Sequence, residues 1–162
     1  MNITIITTGG TIDKVYFDAK SDYAVGDPQI RSILDRVGST LSYVVIEVFH
    51  KDSLDLTAED RAKIVDAAAA SETDQIVITH GTDSMVETAL ALKSVARSKT
   101  IVLVGSLTPA RFRETDAEFN IGVAVSAVQT LPSGVYLAMN GRIFDPEKVR
   151  KNRGKNRFED SE

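Results

Sequence analysis

The chain has 162 residues, 43% of them hydrophobic and 26% charged, with a formal net charge of -4 and no cysteine. That length suits one domain with a sizeable core. Without cysteine there is no disulfide framework, thiolate nucleophile or cysteine metal site. No apolar run approaches the roughly 18 residues that a bilayer-spanning helix needs, and the negative charge argues against a protein devoted to nucleic acid. The N-terminal apolar run has no basic segment before it and no cleavage-site pattern after it, so no signal peptide is expected and the cytoplasm is the expected location.

In chain order, NITIITT (2–8) reads as a strand and runs into TTGGT. DPQIRSILDRV (27–37) reads as a helix with Asp27 as its cap and Pro28 as its first helical residue. LSYVVIEVF (41–49) is the second strand. TAEDRAKIVDAAAA (57–70) is a helix whose Thr57 and Asp60 have the spacing of a capping box. QIVITH (75–80) is the third strand, and TDSMVETALALKSVA (82–96) a helix with Met85, Ala89 and Leu92 on one face. TIVLVGS (100–106) is the fourth strand, TDAEFNIGVAVSAVQT (115–130) a buried helix and GVYLAMN (134–140) the fifth strand. The remainder, 147–162, is polar and carries six Lys or Arg between 148 and 157. It is expected to form a flexible tail on a single domain spanning 1–162.

Continuous Val- and Ile-rich strands alternating with helices predict a three-layer α/β fold. Its central sheet is mostly parallel, with helices on both faces, flavodoxin- or Rossmann-like. Ligands of such sheets bind beyond the carboxyl ends of the strands. Here those ends read TTGGT, FHKDSLD, THGTDS, GSLTPAR and MNGR. Each alone is explained by turns and helix caps; together they predict a polar site. The loops contain neither a P-loop nor a GxGxxG fingerprint, which counts against nucleotide binding.

A threonine hydroxyl is a weak nucleophile until a base takes its proton. Histidine is scarce. His80 reads as a structural hydrogen-bonder more readily than as a base, and His50 has no evident partner. A lysine positioned by an aspartate is the other candidate base. Thr82 and Asp83 stand together at an expected helix start, where free N–H groups favour an anion.

TGGTI (8–12) and HGTDSMVETA (80–89) resemble the two signature motifs of the bacterial-type L-asparaginase family, the threonine amidohydrolases. SDYAVG (21–26) is similar to the family's mobile loop, KDSLDLTAED (51–60) to its substrate-binding serine segment, and VLVGSLTPARFRETDAEFN (102–120) to its fourth strand and following helix. The similarity covers nearly the whole chain and matches the family's larger N-terminal domain; its smaller C-terminal domain has no counterpart here. The resemblance implies that Thr11 is the primary nucleophile, assisted by Tyr23, with Tyr16 as the alternate. It implies that Thr82, Asp83 and a lysine form a rigid triad, with Lys151 the best match for that lysine and Lys148 the runner-up. It implies substrate contacts from Gly10, Asp52, Ser53, Gly81, Thr82 and Asp83, with Ser53 on the α-carboxylate and Asp83 on the α-ammonium. Thr8 supports the loop in this reading. The implied reaction is hydrolysis of L-asparagine to L-aspartate and ammonia, without metal or cofactor, with N–H groups near Thr82 steadying the oxyanion. A homo-oligomer is expected, because in the two-domain enzymes the C-terminal domain of a neighbouring protomer completes the site. The rival readings are a non-catalytic amino-acid-binding module and a partner-dependent amidotransferase subunit.

Overall fold

The computed structural model describes residues 2–18 and 22–161. Ser21 of the SDYAVG loop and Glu162 of the acidic end lie outside the described residues. Six strands form the central sheet: β1 Asn2–Gly9, β4 Ser42–Lys51, β5 Gln75–Thr79, β6 Thr100–Val104, β7 Gly134–Met139 and β8 Arg142–Phe144. Their spatial order is β4-β1-β5-β6-β7-β8. The first five in that order are parallel, and β8 returns antiparallel to β7. Two small hairpins stand outside this sheet. In one, Lys14–Phe17 (β2) pairs with Asp22–Val25 (β3); in the other, Val149–Asn152 (β9) pairs with Arg157–Asp160 (β10).

Each sheet face has its own core, and the period-2 alternation of strand side chains assigns residues to them. Ile6, Ile76, Ile78, Ile101 and Leu103 point toward the helices Ala58–Ala70 (α2) and Met85–Leu92 (α3). Ile3, Ile5, Val77, Val102 and Val104 point toward the helices Ile30–Arg36 (α1) and Ala117–Thr130 (α4). The five parallel strands, taken in chain order, lie 2-1-3-4-5. Such a sheet reverses its winding between its first and third strands, here β1 and β5. The crevice that ligands use opens at their carboxyl ends.

Several helix starts differ from the sequence reading, and the site loops are the reason. α1 begins at Ile30, and Asp27 does not cap it. The cap comes from Asp13, whose buried carboxylate accepts the Gln29 N–H at 2.8 Å. α3 begins at Met85, not Thr82, because the preceding backbone is held by Ser53. Asp83 N–H donates to Ser53 Oγ at 3.1 Å, and Ser84 Oγ donates to the Ser53 carbonyl at 2.6 Å. α4 begins at Ala117; Asp116 spends its carboxylate on the Leu107 and Thr108 N–H groups and on Asn120. The capping box of α2 is present, with reciprocal Thr57 and Asp60 bonds of 3.1 and 3.2 Å.

The charged stretch 147–160 is structured where composition suggested a flexible tail. Its apolar residues are few but correctly spaced. Val149 and Phe158 are buried in the α2/α3 core, and the Phe158 N–H donates to Asn140 Oδ1 at 2.8 Å. On the outer face of the hairpin Arg150 pairs with Glu159 at 3.0 Å.

His80, just beyond β5, is fully buried. Its Nδ1–H donates to the Gly81 carbonyl at 2.7 Å, which leaves Nε2 to accept from Thr88 Oγ1 at 2.9 Å. Burial pushes its pKa down to about 4, with a smaller contribution from Arg61, against the effect of the Gly81 hydrogen bond. The imidazole is therefore neutral at physiological pH. Asp13 goes the other way. Burial raises its pKa to about 6, and its Oδ2 has no hydrogen-bond partner among the described residues.

These contacts make the hairpin and the buried imidazole testable. Phe158→Ala should cost about 3–5 kcal/mol by the usual penalty for a buried Phe. Urea unfolding would measure it, and a loss below about 1 kcal/mol would mean that the hairpin is not anchored this way. A depressed His pKa means that the unfolded chain binds the proton first. The His80 contribution is then complete above about pH 6.5 and is lost as pH falls toward 4, by about 3 kcal/mol. The raised Asp13 pKa acts oppositely between about pH 4 and 6, since the folded state binds that proton first, and so masks the His80 effect. Guanidinium unfolding of Asp13→Asn at pH 7 and pH 4 should reveal the His80 loss, and adding His80→Gln should remove it. Equal losses with and without His80 would refute a buried neutral imidazole.

Candidate active site

The site forms where two glycine loops meet at the β1/β5 crevice. Gly10 follows β1 at φ +93°, and a Cβ placed on it would lie 2.4 Å from Gly81 Cα and N. A Cβ on Gly81 would lie 2.6 Å from Ser53 Cβ and Oγ. No side chain fits at either position, so three loops stack backbone against backbone. Thr8 ties the first loop to the second by donating to the Thr79 carbonyl at 2.9 Å. It is a strut, as its sequence position suggested.

This stacking brings Thr82, Asp83 and Ser53 together directly and sets Thr11 one residue beyond the contact. Thr11 opens a 3₁₀ turn, Thr11–Asp13, and lines a cavity of about 280 Å³ with Lys14, Tyr23, Pro109 and Phe112. A second, more polar cavity of about 580 Å³ shares Lys14 and Tyr23 with it and continues along His50, Lys51 and Asp52. The most apolar groove, along α4 and Ile143, shares no residue with either.

Lys151 arrives from β9. Strand period 2 puts it on the same side as Val149, and it lies opposite Phe158 in register. The face that buries those two apolar side chains therefore directs Lys151 inward. Its Nζ donates to Thr82 Oγ1 at 2.7 Å and to Asp83 Oδ1 at 2.9 Å. Its side chain is 13% exposed. Lys148, the runner-up, ends the 3₁₀ turn Pro146–Lys148 before β9 and takes no part in this cluster.

Tyr23 is on β3, directly opposite Tyr16 on β2. The rings meet edge to face with centroids 5.5 Å apart, and Tyr23 lies 6.0 Å from Phe112. Of the two tyrosines, Tyr23 lines the Thr11 cavity. Asp52 is salt-bridged to Lys14 at 2.7 Å and caps the 3₁₀ turn Ser53–Asp55. Burial alone would raise the Asp52 pKa, but hydrogen bonds from Lys14 and the Leu54 N–H outweigh it and hold the carboxyl below its ordinary value. His80 lies behind this cluster as a neutral packing residue, and His50 Nε2 lies 3.5 Å from Glu47.

Three residues near the site were not singled out from sequence. Lys14 and Phe112 reach it only through the hairpin and the loop after β6. Arg153 is the first residue of the turn after β9, and its Nε lies 3.3 Å from Asp83 Oδ1.

Among the described residues no group of three or more His, Cys, Asp or Glu could hold a metal ion, and no helix is long and apolar enough to cross a membrane. A probable periplasmic L-asparaginase of Haemophilus influenzae is 34% identical over 161 residues, 93% of this chain and 46% of that protein. One component of the glutamyl-tRNA(Gln) amidotransferase of Methanococcus maripaludis is 30% identical over 155 residues, 89% of this chain and 36% of that protein. The crystal structure of a probable cytoplasmic L-asparaginase from Campylobacter jejuni superimposes with a TM-score of 0.85 at 29% identity, covering 98% of this chain and 52% of that one. The chain thus spans about half the length, or less, of the relatives it matches. The family described as asparaginase, N-terminal, matches residues 2–159, and the chain belongs to it.

Proposed function

We propose that the protein is an amidohydrolase that converts L-asparagine to L-aspartate and ammonia through a threonine-bound acyl intermediate. The observation that carries this reading is the Thr82–Lys151–Asp83 hydrogen-bonded set. A lysine nearly 70 residues distant in sequence is inserted against a threonine and a carboxylate at the sheet's switch point. A largely enclosed ammonium held between a hydroxyl and a carboxylate is an arrangement suited to moving a proton at that hydroxyl.

Thr11 is the nucleophile in this reading. Its Oγ attacks the side-chain amide carbon, the C–N bond breaks, and the Thr11 proton leaves with ammonia. Water then attacks the resulting ester, releasing the acid and restoring the hydroxyl. Tyr23, on the hairpin that covers Thr11, assists proton movement there, and Lys151 supplies proton transfer through Thr82. Ser53 Oγ accepts the Asp83 N–H and so keeps its own proton to donate to the substrate's α-carboxylate. Asp83 faces the α-ammonium. Because the Asp83 N–H already serves Ser53, the oxyanion falls to other N–H groups near Thr82, a contact worth roughly 3 kcal/mol of barrier in other hydrolases. Gly10, Gly81 and Asp52 shape the pocket and orient the loops that bear these groups. Assembly into a homo-oligomer belongs to the same proposal.

Ammonia release from L-asparagine by the purified protein tests this. Thr11→Ala should abolish turnover, and Lys151→Met should lower kcat by about a hundredfold to ten-thousandfold, the range for a lost proton-transfer group. Near-wild-type rates in either variant would overturn the assignment. Wild-type turnover that appears only with an added partner protein would favour the amidotransferase reading, and binding without turnover the sensor reading. A second comparison concerns the hairpin. Tyr23→Phe should reduce kcat by at least about tenfold, whereas Tyr16→Phe should stay within about twofold of wild type. The reverse pattern would place the assisting hydroxyl on β2.

A further inference from the structure

Arg153 makes a contact that the proposed reaction does not use. The other hairpin arginines are engaged on the outer face. Arg150 and Arg157 pair with Glu159. Arg153 instead turns to the site side and lies 3.3 Å from the Asp83 oxygen that already accepts Lys151 at 2.9 Å. Asp83 therefore carries two cations on one oxygen. Lys151 is enclosed, while the Arg153 side chain is 68% exposed and free to swing on its stem. In the proposed reaction Asp83 is the group that meets the substrate's α-ammonium, so Arg153 is a second cation on the carboxylate that the ammonium would approach. A guanidinium at this place repels an arriving ammonium and attracts a carboxylate, for which its planar fork is well matched.

We propose that Arg153 is a specificity-determining residue and that it shifts the substrate class toward monoamides of dicarboxylic acids that lack an α-ammonium. This inference rests on the amidohydrolase reading. With such a substrate Arg153 keeps its place on Asp83 and its guanidinium also faces the substrate's free carboxylate. With L-asparagine the guanidinium and the ammonium compete for the Asp83 carboxylate. The chemistry is the same in both cases: one water is consumed, the amide C–N bond breaks, and ammonia and a dicarboxylate leave.

The test compares succinamate with L-asparagine in wild type, Arg153→Ala and Arg153→Lys. In Arg153→Ala the KM for L-asparagine should fall and that for succinamate should rise, each by about twofold to threefold, the scale of an exposed ion pair. The preference ratio then moves roughly fivefold at nearly constant kcat. Arg153→Lys should restore part of the shift, which a merely structural role would not. An unchanged ratio in an active Arg153→Ala enzyme overturns the inference and leaves the amidohydrolase reading intact. If the wild type releases ammonia from neither amide, the amidohydrolase reading fails instead. Calorimetric titration with L-aspartate and succinate then decides Arg153 separately. Tighter L-aspartate and weaker succinate in Arg153→Ala support it, and unchanged constants overturn it.

Discussion

The structure depends on one close approach, that of Gly10 to Gly81 at the carboxyl ends of β1 and β5. A Cβ on Gly10 would overlap the Gly81 backbone, and one on Gly81 would overlap Ser53. Ser53 comes in from the β4 side and packs on Gly81 in the same way. Close packing of three loops replaces a conventional helix start. Ser53 takes the Asp83 N–H and accepts the Ser84 hydroxyl, and α3 is delayed to Met85 in consequence. Thr82 and Asp83 are thereby left as presented side chains on a rigid base.

The second determinant is the β9–β10 hairpin. It carries a high density of charge, yet it is held by two apolar side chains and a register. Val149 and Phe158 enter the α2/α3 core, and the alternation they set turns Lys151 toward Asp83, while Arg153 reaches the same carboxylate from the turn that follows β9. Arg150 and Glu159 face outward in the same register. Packing energy in one core thus positions charge in the adjoining site.

The β2–β3 hairpin is a looser element. It rests on edge-to-face and tilted aromatic contacts among Tyr16, Tyr23 and Phe112, all substantially exposed. Its base is firmer. The Asp13 carbonyl accepts the Gly26 N–H at 2.8 Å, and the Asp13 carboxylate accepts the Gln29 N–H.

The amino-acid sequence by itself determined the parallel strands, because continuous Val- and Ile-rich runs suit a place between two helical layers, although the edge strand β4 leaves Val44 and Ile46 exposed. The TGGTI and HGTDSMVETA motifs pointed to Thr11, Thr82 and Asp83 through their resemblance to the family's signatures. Tertiary structure alone decided three things. It set Lys151, and not Lys148, against Thr82 and Asp83, because the strand register and the burial of Phe158 give that one lysine of a charged run an inward face. It set the helix starts, because distant groups such as Asp13 and Ser53 compete for backbone donors that local pattern assigns to caps. It brought Arg153 to Asp83, a contact between residues 70 positions apart that no local rule specifies. Periodicity acts over a few residues, whereas these choices were made by contacts between segments that are far apart in the chain.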